Sequence, residues 1–398
     1  MRSPVLVTSL LLSCVCWAQW TTYETGSGAN LHSADAAGQI VLVAGDNVVY
    51  RSTDGGNTWI FCLTLNQAPQ GWGFHDIEFA DATTVYCTGG EYTFKSTDAG
   101  ANWTQLSQPT SNALWSVAAP SANTVLFGGV FSTVLRSTNG GSSFTTANTP
   151  GGGSGPETNR SLHFTSNSNG FSATGTRVYR TQNGGASWTI VNQGLGLEKL
   201  YFSDAMNGCV VGYGGRISTT SDGGLTWTPR VSGTTNDLQA VHFFNSQYGT
   251  AVGWAGTILR TNDGGVTWFT EPPPTIDYFE SVVMLGPTSI IIGGQFGTIY
   301  KNGALSIGVD EPSGTKLMGL SPNPVTSTAT LALPTELSGS MVQVDLYDQL
   351  GRKALHVTAN AGQGAFSFDT STLEAGEYVG VVLSNGAVVG RVRMMRVP

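Results

Sequence analysis

Seven side chains of mixed chemistry recur at intervals of about 40 residues: His32, His75, Trp115, Arg160, Glu198, Gln239 and Glu280. Most follow an apolar partner that repeats with them, at Leu31, Phe74, Leu114, Leu197, Leu238 and Phe279. A second set, Tyr92, Phe131, Arg177, Tyr213, Arg216, Trp254 and Phe296, falls in loops between apolar runs. Aromatic faces interspersed with arginines and amides suit sugar rings, peptides or carboxylates, so the two sets together form a candidate ligand site. Arg160, Arg177 and Arg216 are expected to hold an anionic group, unless Glu198 neutralises them. The alternative is a solvated rim of ordinary polar residues.

Catalysis has weaker support. Glycoside hydrolysis needs two opposed carboxylates about 5–10 Å apart, and Asp76, Glu198, Asp277 and Glu280 are candidates, but nothing in their spacing selects a pair. A secreted glycosidase using such carboxylates is therefore the alternative to a non-catalytic protein. His32, His75, His163 and His242 lack the close pairs that zinc sites use, so no metal is expected. Neither a phosphate loop nor a nucleophile elbow occurs, and no cofactor is expected.

The elements that position these residues follow from composition and repetition. Of 398 residues only 11% are charged while 53 are glycine, which disfavours coiled coils and charged tails and favours short strands joined by tight turns. A net charge of −8 leaves no basic stripe for nucleic acid. Six turns share one pattern, with the acidic or amide residue at Asp54, Asp98, Asn139, Asn183, Asp222 and Asp263 and an aromatic five residues on, at Trp59, Trp103, Phe144, Trp188, Trp227 and Trp268. In these turns the side-chain oxygen can accept from backbone N–H groups, and the following Gly-Gly can take positive φ. A period near 40 with four short strands per unit predicts an all-β, seven-bladed propeller. The seventh unit has no box, but Lys301 continues the series Arg51, Lys95, Arg136, Arg180 and Arg260. It lacks a fourth strand, which the segment Gln19 to Tyr23 at the N-terminus is expected to supply, closing the ring.

The boxes resemble the Asp box, or bacterial neuraminidase repeat, of sialidases, of some glycosidases and of propellers of the photosystem II assembly factor type. That resemblance implies a structural role, with the box in the turn between third and fourth strands, on the face away from the binding site. A sialidase would also carry an arginine triad, a Tyr–carboxylate pair and an Arg-Ile-Pro motif before the first box, and no such motif precedes Asp54. Arginine patches are a further feature of the photosystem assembly family.

Both ends of the chain read as addresses. Arg2, the apolar run Val5 to Leu12 and Cys16-Trp17-Ala18 suggest a signal peptide over 1–18, with lipidation at Cys14 as the rival reading. No other segment is long and apolar enough to span a bilayer. Cys62, Cys87 and Cys209 would remain, as buried free thiols rather than a Cys62–Cys87 bridge. The repeats occupy 19–305, a linker follows over 306–317, and 318–398 alternates as a small β-sandwich does. Pro322-Asn323-Pro324, the Val344-to-Arg352 segment with Gly351 and Arg352, Gly376 and Tyr378 in Leu373-to-Tyr378, and the basic apolar end Gly390-to-Val397 resemble the C-terminal sorting domain of type IX secretion. The resemblance implies export of a folded cargo across the outer membrane of Bacteroidota, with the type IX machinery as partner; Ser321 stands where that family usually has an aromatic. A fibronectin-like binding module is the alternative. The expectation is a monomeric, non-catalytic propeller at the cell surface or in the medium, binding glycan or protein.

Overall fold

Glycine-punctuated apolar runs fold into seven four-stranded antiparallel sheets in the propeller unit, which lies within Gln19–Ala304. The computed structural model describes residues 20–65, 73–147, 149, 157–194 and 196–302 there. In the C-terminal unit it describes 316–318, 320–321, 325–333, 337, 340–347, 353–360, 365–384 and 387–397. The expected leader 1–18 with Cys14, most of the expected linker, Pro322, Asn323, Pro324, Gly351 and Arg352 lie outside the described residues.

Blades 1 to 6 run in chain order over 33–64, 76–105, 114–146, 159–193, 197–230 and 238–270. Blade 7 takes three strands from 279–302 and its fourth from Trp20–Gly28. That strand pairs Trp20 with Asn302, Thr22 with Tyr300 and Glu24 with Thr298, so the ring closes as the sequence predicts. The innermost strand of each blade packs on that of the next, and Ser33–Ala37 meets Phe279–Met284 to complete the circle. These seven strands line the central channel.

The core lies between blades rather than within them. Leu42, Val49, Phe74, Ile77, Val85 and Phe94 fill the seam between blades 1 and 2, and Val41, Tyr50, Trp59, Val283, Ile291 and Ile299 fill that between blades 7 and 1. Second strands such as Val85–Gly89, Gly249–Gly253 and Ile290–Gly294 are buried at every residue, because each faces a neighbouring blade on both sides. Such strands read as continuous apolar runs rather than alternating ones. Their terminal glycines are required by close approach: a Cβ on Gly253 would lie 2.0 Å from the Asp237 carbonyl oxygen.

The Asp/Asn-Gly-Gly turns join third to fourth strands and share one set of bonds. At Asp222, Oδ1 accepts from the N–H groups of Leu225 and Thr226, each at 2.9 Å, and from Thr220 Oγ1 at 2.8 Å. Gly223 and Gly224 take φ of 69° and 76°. Basic residues at this place in the third strands lace one blade to the next in several blades: Arg51 Nε donates to Ala99 O at 2.8 Å, Arg136 Nε to Gly184 O at 2.6 Å, and Lys301 Nζ, in the blade without a box, to Asn57 Oδ1 at 2.6 Å. Cys62, Cys87 and Cys209 are free thiols.

The C-terminal unit is a sandwich. One sheet orders Lys316–Leu317, Ala387–Arg396, Gly376–Ser384, Met341–Tyr347 and Lys353–Asn360; the other has Leu320–Ser321, Thr328–Ala332 and Ala365–Asp369. Val325, Leu331, Val342, Val344, Leu346, Val382 and Val392 are completely buried between them. Tyr378 is buried, and its hydroxyl donates to Glu374 O at 3.0 Å.

Candidate functional site: the channel mouth and the channel below it

Five of the seven mouth residues sit at bulges. In blades 3 to 7 the pairing of first and second strands skips one residue, running from Leu114 to Ser116, Asn159 to Ser161, Leu197 to Lys199, Leu238 to Ala240 and Phe279 to Ser281. The skipped residues are Trp115, Arg160, Glu198, Gln239 and Glu280. A bulge leaves its extra residue unpaired and re-aims the side chain, which frees these positions to vary in chemistry.

Contacts link most of this column around the mouth. His32 lies between Glu280 of blade 7, bonded through Nδ1, and Asp46, 2.9 Å from Nε2. Burial opposes charge on His32, but hydrogen bonds to Asp46 and Glu280 outweigh it and raise its pKa to about 9, so the imidazolium donates to both carboxylates. His75 lies 5.5 Å from the His32 ring and stacks on Trp115 at 4.0 Å. Burial, with the His32 charge beside it, lowers His75 to about 4, so it is neutral. Across the mouth, Arg160 Nη1 reaches Glu198 Oε1 at 2.9 Å and Oε2 at 3.0 Å, and Tyr213 stands beside this pair. Gln239 is half-buried on blade 6.

The expected arginine cluster does not assemble as a free anion site. Arg177 is largely buried and its guanidinium is committed to Glu157, which also accepts from Thr174 and Thr176. Arg160 is held by Glu198, which leaves Arg216, exposed at the start of Arg216–Thr220, with no ion pair among the described residues. Spacing alone did not reveal that Glu157, just before the strand Asn159–Phe164, faces Arg177.

Aromatic rings occupy the loops around this ring of polar residues. Phe131 and Phe296, 62% and 66% exposed, adopt φ of 56° and 58°, a left-handed conformation that costs a non-glycine residue about 1–3 kcal/mol. Tyr213 is 43% exposed, and Trp254 lies flat against Tyr278, with centroids 4.9 Å apart and planes 8° from parallel.

Below the mouth the channel is polar and partly closed. The innermost strand of a blade has one edge without a strand partner, and its N–H groups need acceptors. Side chains of the preceding blade supply them. Asp35 Oδ2 accepts from Phe79 N at 2.7 Å, Asp76 Oδ2 from Val117 N at 3.0 Å, Glu78 Oε1 from Ala119 N at 3.1 Å, and His242 Nδ1 from Met284 N at 3.3 Å. Lys199 crosses the channel from blade 5 to Asp76 on blade 2, with Nζ to Oδ1 at 2.9 Å. These groups line a cavity of about 250 Å³ with His163 and Tyr201. Burial raises Asp35 to about 6 and holds Glu78 well above the usual carboxylate range; it lowers His163 to about 4 and His242 to about 3. Sequence reasoning missed Asp35, Glu78, Lys199 and Tyr201. The available signal was charge at strand positions where other blades carry Ala, Ser or Val.

Asp54, Asp98, Asn139, Asn183, Asp222 and Asp263 lie in the turns at the opposite ends of the third strands from these loops, and their side-chain oxygens are engaged by the turns themselves.

Fold and site thus define a closed seven-bladed propeller with an aromatic mouth, carried on a chain with a second, sandwich unit. Residues 320–392 match the secretion system C-terminal sorting domain, so the chain carries a tail for type IX secretion and export to the cell surface. No helix among the described residues is long and apolar enough to cross a membrane. No curated protein matches the chain by sequence. Among solved structures, it is similar to YCF48 bound to D1 peptide, with a TM-score of 0.59 and 17% identity over 71% of this chain and 96% of that one. YCF48 from Cyanidioschyzon merolae gives a TM-score of 0.58 and 17% identity, covering 72% and 98%. The extracellular domain of a one component system of B. thetaiotaomicron gives a TM-score of 0.56 and 10% identity, covering 94% of this chain and 58% of that one. At these identities the likeness concerns the fold alone.

Proposed function

We propose that this exported chain is a non-catalytic binding protein whose propeller captures a protein or glycan ligand at the channel mouth. The observation that carries the reading is the set of exposed rings, Phe131, Tyr213, Trp254 and Phe296, raised on mouth loops of four blades. Water-exposed aromatics gathered on one face mark interaction surfaces, since burying them against a ligand is favourable. Three of the four carboxylates that a glycosidase could use are committed elsewhere, Glu198 to Arg160, Glu280 to His32, and Asp76 to Lys199 and Ser33, which leaves Asp277 without an opposed partner carboxylate among them. A carboxylate held by a cation is a poor general acid, which favours binding over hydrolysis. For a polypeptide ligand in particular, YCF48 offers a structure of the same fold bound to a peptide.

The test is binding of the full chain to an oligosaccharide panel and a peptide array, repeated with Trp115→Ala, Trp254→Ala and Arg216→Ala combined. Lost binding supports the mouth, and unchanged binding rules it out. Sugar release abolished by Glu198→Gln or Glu280→Gln would instead make the protein an enzyme.

A further inference from the structure

We propose that the Trp254–Tyr278 stack, flanked by Asp237 and Asp277, recognises the cationic side chain of an arginine or lysine in a polypeptide ligand. The inference rests on the mouth being a binding site and names what that site selects. Trp254 is 42% and Tyr278 38% exposed, and their parallel rings present a flat aromatic face to solvent. That face is pinned before any ligand arrives. Trp254 N donates to Asp237 O at 2.9 Å, Gly256 N donates to Asp277 O at 2.8 Å, and Thr257 Oγ1 donates to Trp254 O at 2.6 Å. These bonds fix the main chain of the loop that carries the indole and hold against it the backbone of an acidic residue from each adjoining segment.

Neither carboxylate has a cationic partner among the described residues. Asp237 Oδ1 accepts from Gly214 N at 2.7 Å and Asp277 Oδ2 from Thr275 Oγ1 at 2.7 Å, which leaves their charge uncompensated. Elsewhere on the mouth Arg160 and Arg177 are neutralised by Glu198 and Glu157, while Asp46 and Glu280 share the one imidazolium of His32. Arg216 forms no ion pair with Asp237 or Asp277. An indole face attracts cations through its ring quadrupole, and a guanidinium also stacks on it. Uncompensated carboxylates draw the same ligand in and repel anionic ones. A neutral sugar would use the rings and be indifferent to the carboxylate charge.

The experiment is a fluorescence titration of the full chain with a labelled decapeptide of alternating Arg and Gly, its Glu-for-Arg counterpart, and a neutral hexasaccharide. The Arg peptide is expected to bind best, to weaken as salt rises, and to weaken about tenfold in Trp254→Ala and in Asp237→Asn/Asp277→Asn. Asp81→Asn/Asp204→Asn, in exposed turns at the far ends of the first strands, controls for the overall charge of −8 and is expected to change little. Equal weakening in that control, wild-type affinity in Asp237→Asn/Asp277→Asn, or equal binding of the Glu peptide would overturn the proposal. If only the hexasaccharide binds and Trp254→Ala abolishes it, the mouth stands and the cationic assignment falls. If the Arg peptide binds unchanged when Phe131, Trp254 and Phe296 are all alanine, the mouth reading falls with it.

Discussion

Lys199 of blade 5 reaches across the central channel and meets Asp76 of blade 2, Nζ to Oδ1 at 2.9 Å. Asp76 is 4% exposed and also serves Ser33 and Val117, so its charge is embedded in a network spanning four blades. Removing one partner of a fully buried pair costs about 3–5 kcal/mol. Because Lys199 faces the cavity and is 29% exposed, Lys199→Met is expected to cost less, about 2–3 kcal/mol in denaturant unfolding. Adding Asp76→Asn should recover part of that loss; a double variant that is simply additive would mean the two groups do not interact.

Titratable groups set both ends of a pH profile. His32 has a raised pKa, so its contribution is complete below its unfolded value and is lost as pH rises through about 9. Asp35, raised by burial to about 6, favours the fold at low pH, and that contribution is lost as pH rises from its unfolded value through about 6. Between pH 4 and 6.5 the neutral histidines His75, His163 and His242, lowered by burial, outweigh Asp35, because their unfolded forms bind protons that the fold excludes. Melting temperature measured from about pH 4 to 10 should therefore rise over that range and decline through about 9; Asp35→Asn should steepen the rise and His32→Gln should flatten the decline.

The turn chemistry separates hydroxyl from charge. Thr261 Oγ1 is buried and accepts from Gly265 N at 2.9 Å, so Thr261→Val should cost about 1–2 kcal/mol by leaving that donor unmatched. Asp263→Asn should be nearly neutral. Asn139 and Asn183 already occupy this place, donating through Nδ2 to Ser143 and Ser187, whereas Thr267 donates to Asp263. The hydroxyl simply reverses direction. Thermal melts of both variants check the contrast.

Deleting residues 20–23 removes the pairing of Trp20, Thr21, Thr22 and Tyr23 with blade 7, together with the Tyr23 hydroxyl bond to Trp59 O of blade 1 at 3.3 Å. Melting temperature should fall by ~10 °C, as a loss of several kcal/mol in a domain of this size implies. An unchanged melt would mean that closure adds nothing to stability.

The blades were legible because turns and apolar strands repeat, and repetition reports the local chemistry common to every copy. The mouth column was legible for the inverse reason: bulged residues such as Trp115 and Glu198 are released from pairing and vary. What spacing could not convey was which of these residues meet. The Arg177–Glu157 pair joins a strand start to the approach to an earlier strand, and Lys199–Asp76 joins blades on opposite sides of the channel. Asp35 and Glu78 look misplaced in apolar strands until the unpartnered inner edge of the next blade is seen to need acceptors. In the sandwich, Lys353 and His356 on the strand Lys353–Asn360 are held by the buried Asp345 of the adjacent strand, a contact that alternation does not convey.

The pairing of Trp20 with Asn302 has a temporal consequence. Each of the first six blades is continuous in sequence, so it can form from neighbouring segments as they become available. The seventh must wait, because its outer strand is the earliest part of the propeller to be synthesised and its other three are the latest. Joining strands so distant closes the longest loop in the unit, and contacts of that range form slowly. Assembly of the circle is thus timed by its final join, and before that join an almost complete propeller exposes a free strand edge at the gap.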